Sequence, residues 1–171
     1  MNTLPEDRRD EINKDDTTLT DFELGVLFER TRSAYSRVRE LELAQFGLTP
    51  EQAAILHTIQ SKGSFVTCEE IANAIIRQYH SVTSIVNRME KNGLVEKIKT
   101  KNGRRYLISI TQKGENIYNS VPRHSIKMIL SILSMEEKQQ LASDLQKMLS
   151  KGREMLGMDN KYPFLNISQK K

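Results

Sequence analysis

The chain has 171 residues, 37% hydrophobic and 28% charged, with a formal net charge of +4 and a single cysteine. That is enough for one real core plus an association surface but not for two large domains, and one cysteine excludes an internal disulfide framework and a cysteine-based metal cluster. No run nears the roughly 20 apolar residues of a membrane span, and the opening MNTLPEDRRDEINKDD is acidic where a secretory signal is basic and then apolar, so the cytoplasm is the expected compartment.

Residues 1–18 are polar and read as a flexible acidic N-terminal arm. From Phe22 the pattern changes. Leu24, Leu27, Phe28, Thr31, Tyr35, Val38 and Leu41 recur at three- and four-residue steps, one stripe of a long helix ending near Gly47. Thr49 is placed to cap a second helix, with Pro50 at the first helical position, where its missing N–H costs nothing. That helix runs from about Pro50 to Gln60 and stops at Lys62-Gly63. Thr67 opens a third, because Glu70 three residues on can return a hydrogen bond to the cap.

A fourth helix covers HSVTSIVNRMEKNGL and ends at Asn92-Gly93. Two runs of strand character follow, Leu94 to Lys99 and Arg105 to Ile110, around an Asn-Gly that supplies the positive backbone angles of a tight hairpin. Thr111 caps a fifth helix, with Pro122 inside it or dividing it. Near Ser134 a last helix begins, with Leu141, Leu145, Met148, Leu149 and Met155 as its stripe. The final 15 residues look irregular.

Positive charge is concentrated rather than spread. Between residues 77 and 105 lie Arg77, Arg88, Lys91, Lys97, Lys99, Lys101, Arg104 and Arg105, against only Glu90 and Glu96. Such a concentration fits a polyanion partner. On the fourth helix, Val82, Ile85, Val86 and Met89 share one arc, while His80, Ser84, Asn87, Arg88 and Lys91 share the opposite one, with Ser81 and Thr83 at its edges. Small hydroxyls, an amide and cations on one face suit a major groove: Asn can pair bidentately with adenine, Arg with guanine, and Lys can neutralise phosphate. A merely solvated face would favour long residues of mixed sign. With the basic ribbon that follows, the order of elements describes a mainly α chain built around a winged helix-turn-helix.

The stretches LTPEQAAILHTI, EEIANAI, SVTSIVNRMEKNGLVEK and RRYLISITQKG, in this order and spacing, resemble the MarR family of bacterial transcription regulators from about Leu24 to about Leu149. The resemblance implies a homodimer in which terminal helices of both subunits interlock. It implies an inverted-repeat double-stranded DNA operator and, between lobe and dimer helices, a small aromatic ligand. The corresponding organisation is an arm (1–18), an N-terminal dimerisation helix (19–47), a winged helix-turn-helix lobe (48–112), C-terminal dimerisation helices (113–156) and a tail (157–171). Candidate DNA-binding residues are His80, Ser81, Thr83, Ser84, Asn87, Arg88, Lys91, Lys99, Lys101, Arg104 and Arg105. Tyr35, His57 and Phe65 are candidates for an effector pocket, and Leu24, Leu27, Phe28, Ile129, Leu133, Leu141 and Leu145 for the dimer interface. Repression is the expected mode by family likeness.

Three departures from the family pattern stand out. Ile76 and Arg77 occupy a turn where relatives often carry glycine and then an apolar residue, which allows the fourth helix to start earlier and bring Arg77 nearer the phosphates. Asn102-Gly103-Arg104 stands in for Asp-x-Arg in the wing, so Arg104 and Arg105 compete for the minor-groove role. Arg105 and Tyr106 replace smaller residues at the start of the strand.

Two other functional classes stay open: a winged helix docking an acidic protein partner, and a redox-responsive regulator using Cys68 in the first turn after Thr67, with a structural role for Cys68 favoured. Three scattered histidines, His57, His80 and His124, do not make a metal site. No Gly-rich phosphate loop, nucleophile elbow or histidine with an adjacent acid appears, so neither an enzyme nor a cofactor is expected.

Overall fold

The computed structural model describes residues 19–63, 65–100 and 106–159. The arm 1–18, the hairpin tip with Lys101, Arg104 and Arg105, and all but the first three residues of the tail 157–171 lie outside them. Within the described residues the chain is mainly helical, with one two-stranded antiparallel sheet. The elements are α1 (Asp21–Ala44), α2 (Pro50–Lys62), α3 (Cys68–Ile75), α4 (Tyr79–Lys91), β1 (Val95–Lys99), β2 (Tyr106–Ile110), α5 (Gln112–Ser120), α6 (His124–Leu130) and α7 (Met135–Met155). By packing, the chain up to Ala34 is one unit and the chain from Tyr35 another.

The helix starts are local chemistry. Thr49, Thr67 and Ser134 each accept a bond from the backbone N–H three residues on, and Gln52, Glu70 and Glu137 return one to the cap residue's own N–H. Thr111 caps α5 through the Gly114 N–H. Gly63 ends α2 at φ 65°, and Pro122 separates α5 from α6 rather than lying inside a single helix.

The turn between α3 and α4 departs from expectation. Ile76 itself takes the left-handed conformation, at φ 51° and ψ 56°, and the Arg77 N–H reaches back to the Ala72 carbonyl at 3.0 Å. A β-branched residue there costs on the order of 1–2 kcal/mol. The helix begins only one residue earlier than the stretch read from the sequence: α4 starts at Tyr79, and Arg77 sits in the turn, 3.4 Å from Glu51.

Around these elements one core closes. Leu43, Leu48, Ile55, Leu56, Ile59, Val66, Ile71, Val82, Val86, Met89, Val95 and Ile108 are buried in it. The strands pair from Val95↔Ile110 to Lys99↔Tyr106, and β2 gains a second neighbour on its other edge. Val66, in the α2–α3 connection, exchanges two backbone hydrogen bonds with Ile108, at 3.0 and 2.7 Å. This bridge holds the base of the ribbon against the helices, and it was not expected from the sequence.

Two polar ties fix the later helices. Glu42 of α1 accepts bonds from the backbone N–H groups of His124 and Ser125, at 2.7 and 3.1 Å, and so caps α6. Arg153, buried near the end of α7, donates to the Asn73 carbonyl of α3 at 3.0 Å and to the Asp159 carbonyl at 2.8 Å.

Candidate nucleic-acid interface

The two faces of α4 are as the spacing predicts. Val82, Val86 and Met89 are fully buried and Ile85 half-buried, whereas His80, Ser84, Asn87, Arg88 and Lys91 are exposed. Burying about three large apolar side chains anchors the helix by several kcal/mol, which leaves the opposite face free for ligand chemistry. Ser81 and Thr83 are half-buried at the edges of that face. Thr83 donates its hydroxyl hydrogen to the Tyr79 carbonyl at 3.0 Å, so it is less available to a partner than the sequence suggests.

Two clefts flank α4. On one side Ser81, Ile85 and Arg88 face Thr49, Glu51 and Gln52 at the start of α2, with Arg77 at the rim. On the other, Thr83 and Asn87 face the start of α3 and the ribbon, through Cys68, Lys97 and Tyr106. Lys99 is exposed at the outer end of β1, and the remaining ribbon candidates, Lys101, Arg104 and Arg105, lie outside the described residues.

Lys97 is the residue that sequence reasoning missed. Its ammonium lies 2.8 Å from Glu90, donates to the Asn87 side-chain oxygen, and sits 5.8 Å from the centre of the Tyr106 ring. The signal was present: a strand alternates faces, so Lys97 shares the face of buried Val95 and must point its stem toward α4. Counting it only as one more basic residue hid that.

Burial pushes the Cys68 thiol above its ordinary pKa, against a hydrogen bond with Thr83 and the nearby charge of Lys97. The position at a helix start therefore does not make it a ready thiolate. Burial, helped by the charge of Arg123, lowers the pKa of His57, whose Nδ1 is hydrogen-bonded to the Tyr118 hydroxyl at 3.0 Å. Phe65 is exposed and lines a hollow with Ile59, Gln60 and Ile110. Among the described residues no group of three His, Cys, Asp or Glu could hold a metal ion, and no helix is long and apolar enough to cross a membrane.

Residues 48–114, from the start of α2 through the ribbon to the first turn of α5, match the model of a winged helix DNA-binding domain. A curated relative, the HTH-type transcriptional regulator FarR of Neisseria gonorrhoeae, is 31% identical over 80 residues, which is 46% of this chain and 54% of FarR. The match thus spans about half the length of that relative. Over longer stretches the likeness is structural. The ligand-free organohalide-sensing regulator RdhR superposes with a TM-score of 0.70 at 27% identity, over 92% of this chain and 94% of that one; it has also been solved with 2,4-dichlorophenol. A cysteine-to-serine mutant of MarR from E. coli, solved with operator DNA, shares the fold at a TM-score of 0.68 and 22% identity, over 74% of this chain and 93% of that one. The chain therefore carries a winged helix DNA-binding domain over residues 48–114, and its fold is similar to that of MarR-type transcriptional regulators.

Proposed function

We propose that the protein is a homodimeric, sequence-specific regulator, acting in the cytoplasm as a repressor on an inverted-repeat operator, with a small aromatic effector adjusting its affinity. The observation that carries this reading is the outward face of α4, where His80, Ser84, Asn87, Arg88 and Lys91 stand exposed over a buried apolar back. An α-helix fits the major groove of B-form DNA, and this face holds the donors and cations that base edges and phosphates take. Ser84, Asn87 and Arg88 are assigned to base edges, and Lys91, Lys99 and Arg104 to phosphates or the minor groove. His80, Ser81 and Thr83 are assigned to the border of the groove, and Lys101 and Arg105 to further contacts with the DNA.

The terminal helices supply the second half of the reading. Leu24, Leu27 and Phe28 of α1, and Leu141 and Leu145 of α7, are exposed in the single chain, and Ile129 and Leu133 are half-covered. A second copy is the proposed cover. Among the effector candidates, His57 has an aromatic partner in Tyr118 and is the polar group that an acidic or phenolic ligand, of the kind RdhR binds, would engage. Tyr35 and Phe65 are the other candidates, Phe65 lining a hollow with Ile59, Gln60 and Ile110.

The test is selection of bound fragments from randomised duplex DNA, followed by titration of the selected site. Binding should weaken steeply with salt, as counterion release requires. Arg88→Ala should cost on the order of 1–3 kcal/mol and relax one base position. Equal loss on every sequence would make Arg88 a phosphate contact, and no preference among duplexes at any salt concentration would end the reading in favour of protein docking.

A further inference from the structure

On an α4 that reads bases, Asn87 would ordinarily be assigned to adenine, because its side-chain amide offers one acceptor and one donor to match N6 and N7. The surroundings of Asn87 alter that assignment. An ammonium group carries donors only, so the arm of the Asn87 amide that faces Lys97 has to be the oxygen, and the structure has Lys97 Nζ donating to Asn87 Oδ1. The amide nitrogen occupies the opposite arm and faces away from β1. Its outward chemistry is then two hydrogen-bond donors.

Lys97 is itself well held. Glu90, one turn below Asn87 on the same helix, forms an ion pair with the ammonium at 2.8 Å; the Tyr106 ring lies beside the charge, and the lysine side chain is only 18% exposed. Strand pairing places Lys97 opposite buried Ile108, whose backbone is bonded to Val66, so the base of the lysine is fixed by the sheet. The chain thus has a cation anchored in the ribbon that fixes the orientation of a recognition-helix amide.

We propose that Lys97 is a specificity-determining positioning residue. By engaging Asn87 Oδ1 it turns the amide donors toward the groove, so that Asn87 selects an acceptor-only base edge, guanine through O6 and N7 or thymine through O4, over adenine. This rests on the groove-reading function proposed for α4 and deepens it.

Selection from randomised duplexes with the full chain, in wild-type, Asn87→Ala, Lys97→Met and Lys97→Arg forms, tests it. The base position that loses its preference in Asn87→Ala is the one Asn87 reads. In the wild type that position should hold guanine or thymine. In Lys97→Met, with the oxygen released, adenine should gain about tenfold there relative to guanine or thymine, a factor within the discrimination of one good base contact. Other positions should keep their preference, and Lys97→Arg, which retains a cationic donor, should select as the wild type does.

The proposal is overturned if the wild type already selects adenine at that position, or if Asn87→Ala relaxes no position. It is also overturned if Lys97→Met leaves the preference intact while weakening all sequences equally, since Lys97 would then be a backbone cation. Absence of any sequence selection by the wild type is a distinct result: it removes the groove-reading function, and this inference with it.

Discussion

At Gly114 the side chain that is missing decides the packing. A Cβ built there would lie 2.1 Å from the Leu94 carbonyl oxygen and 3.1 Å from the Ile110 side chain, and the first of these is backbone that cannot swing aside. The same carbonyl accepts the Thr111 N–H at 3.1 Å, and the Thr111 hydroxyl donates to the Gly93 carbonyl, so the junction of α4, the ribbon and α5 is tied by two hydrogen bonds to adjacent residues. Gly114→Ala should therefore destabilise the protein by about 2 kcal/mol or more, even though alanine is the better helix former by nearly 1 kcal/mol. Urea unfolding would check this, and an unchanged midpoint would mean that the junction opens without cost. Ile76 is the counterpart, a residue with a side chain where the backbone asks for none. Neither position was legible as such. Gly114 reads as an ordinary surface glycine two residues into a helix, because its close approach to Leu94 is set by segments that meet only in the folded chain; Ile76 stood out only as a departure from the family's glycine, and its own residue type announces no left-handed backbone.

At the scale of elements, what was legible and what was not divides along the same line. Helix starts were readable because a cap and its partner are three residues apart, as Thr49 with Gln52 and Thr67 with Glu70 show. The faces of α4 were readable because helical period alone sets them. The capping of α6 was not, since its cap residue comes from another helix: α6 starts at His124 after Arg123, whose side chain makes no cap bond, and Glu42 from α1 does that work. Burial raises the pKa of Glu42, but bonds from the Ser125 hydroxyl and amide, from Arg39 and from the His124 amide outweigh it and bring the value from 4.5 down to about 2. A carboxylate whose folded pKa lies below its unfolded one adds stability above the unfolded value, and that stability is lost as pH falls through the folded value. The wild type should thus exceed Glu42→Gln by roughly 2 kcal/mol near neutral pH, with the difference fading between about pH 4.5 and pH 2. Unfolding midpoints for both proteins across that range would show it, and a constant gap would mean that Glu42 acts through shape and not charge.

For the whole molecule, the question is what the uncovered apolar residues meet. Phe22 is 80% exposed on α1 and Ile132 83% exposed after α6, with Leu24, Leu27, Leu141, Leu145 and Met148 substantially open as well. A core that already closes on Leu43, Ile55, Ile71, Val86 and Ile108 does not need them, and the sequence showed Leu24, Leu27, Leu141, Leu145 and Met148 in stripes for which one small lobe has no use. If a second copy covers them, each DNA-reading helix has a twin, and two lobes bound together gain affinity that a single lobe lacks. Replacing Leu141 and Leu145 together by glutamate puts two charges into the proposed seam while leaving α4 and the ribbon unaltered. The wild type should sediment as a dimer at micromolar concentration, and the double variant as a folded monomer with its helical circular dichroism largely kept. On the selected operator the variant should bind at least about a hundredfold more weakly, while a single half-site should bind both proteins alike. A compact wild-type monomer at micromolar concentration would defeat the dimer. A double variant that stays dimeric would move the seam off α7 and onto the stripe of α1.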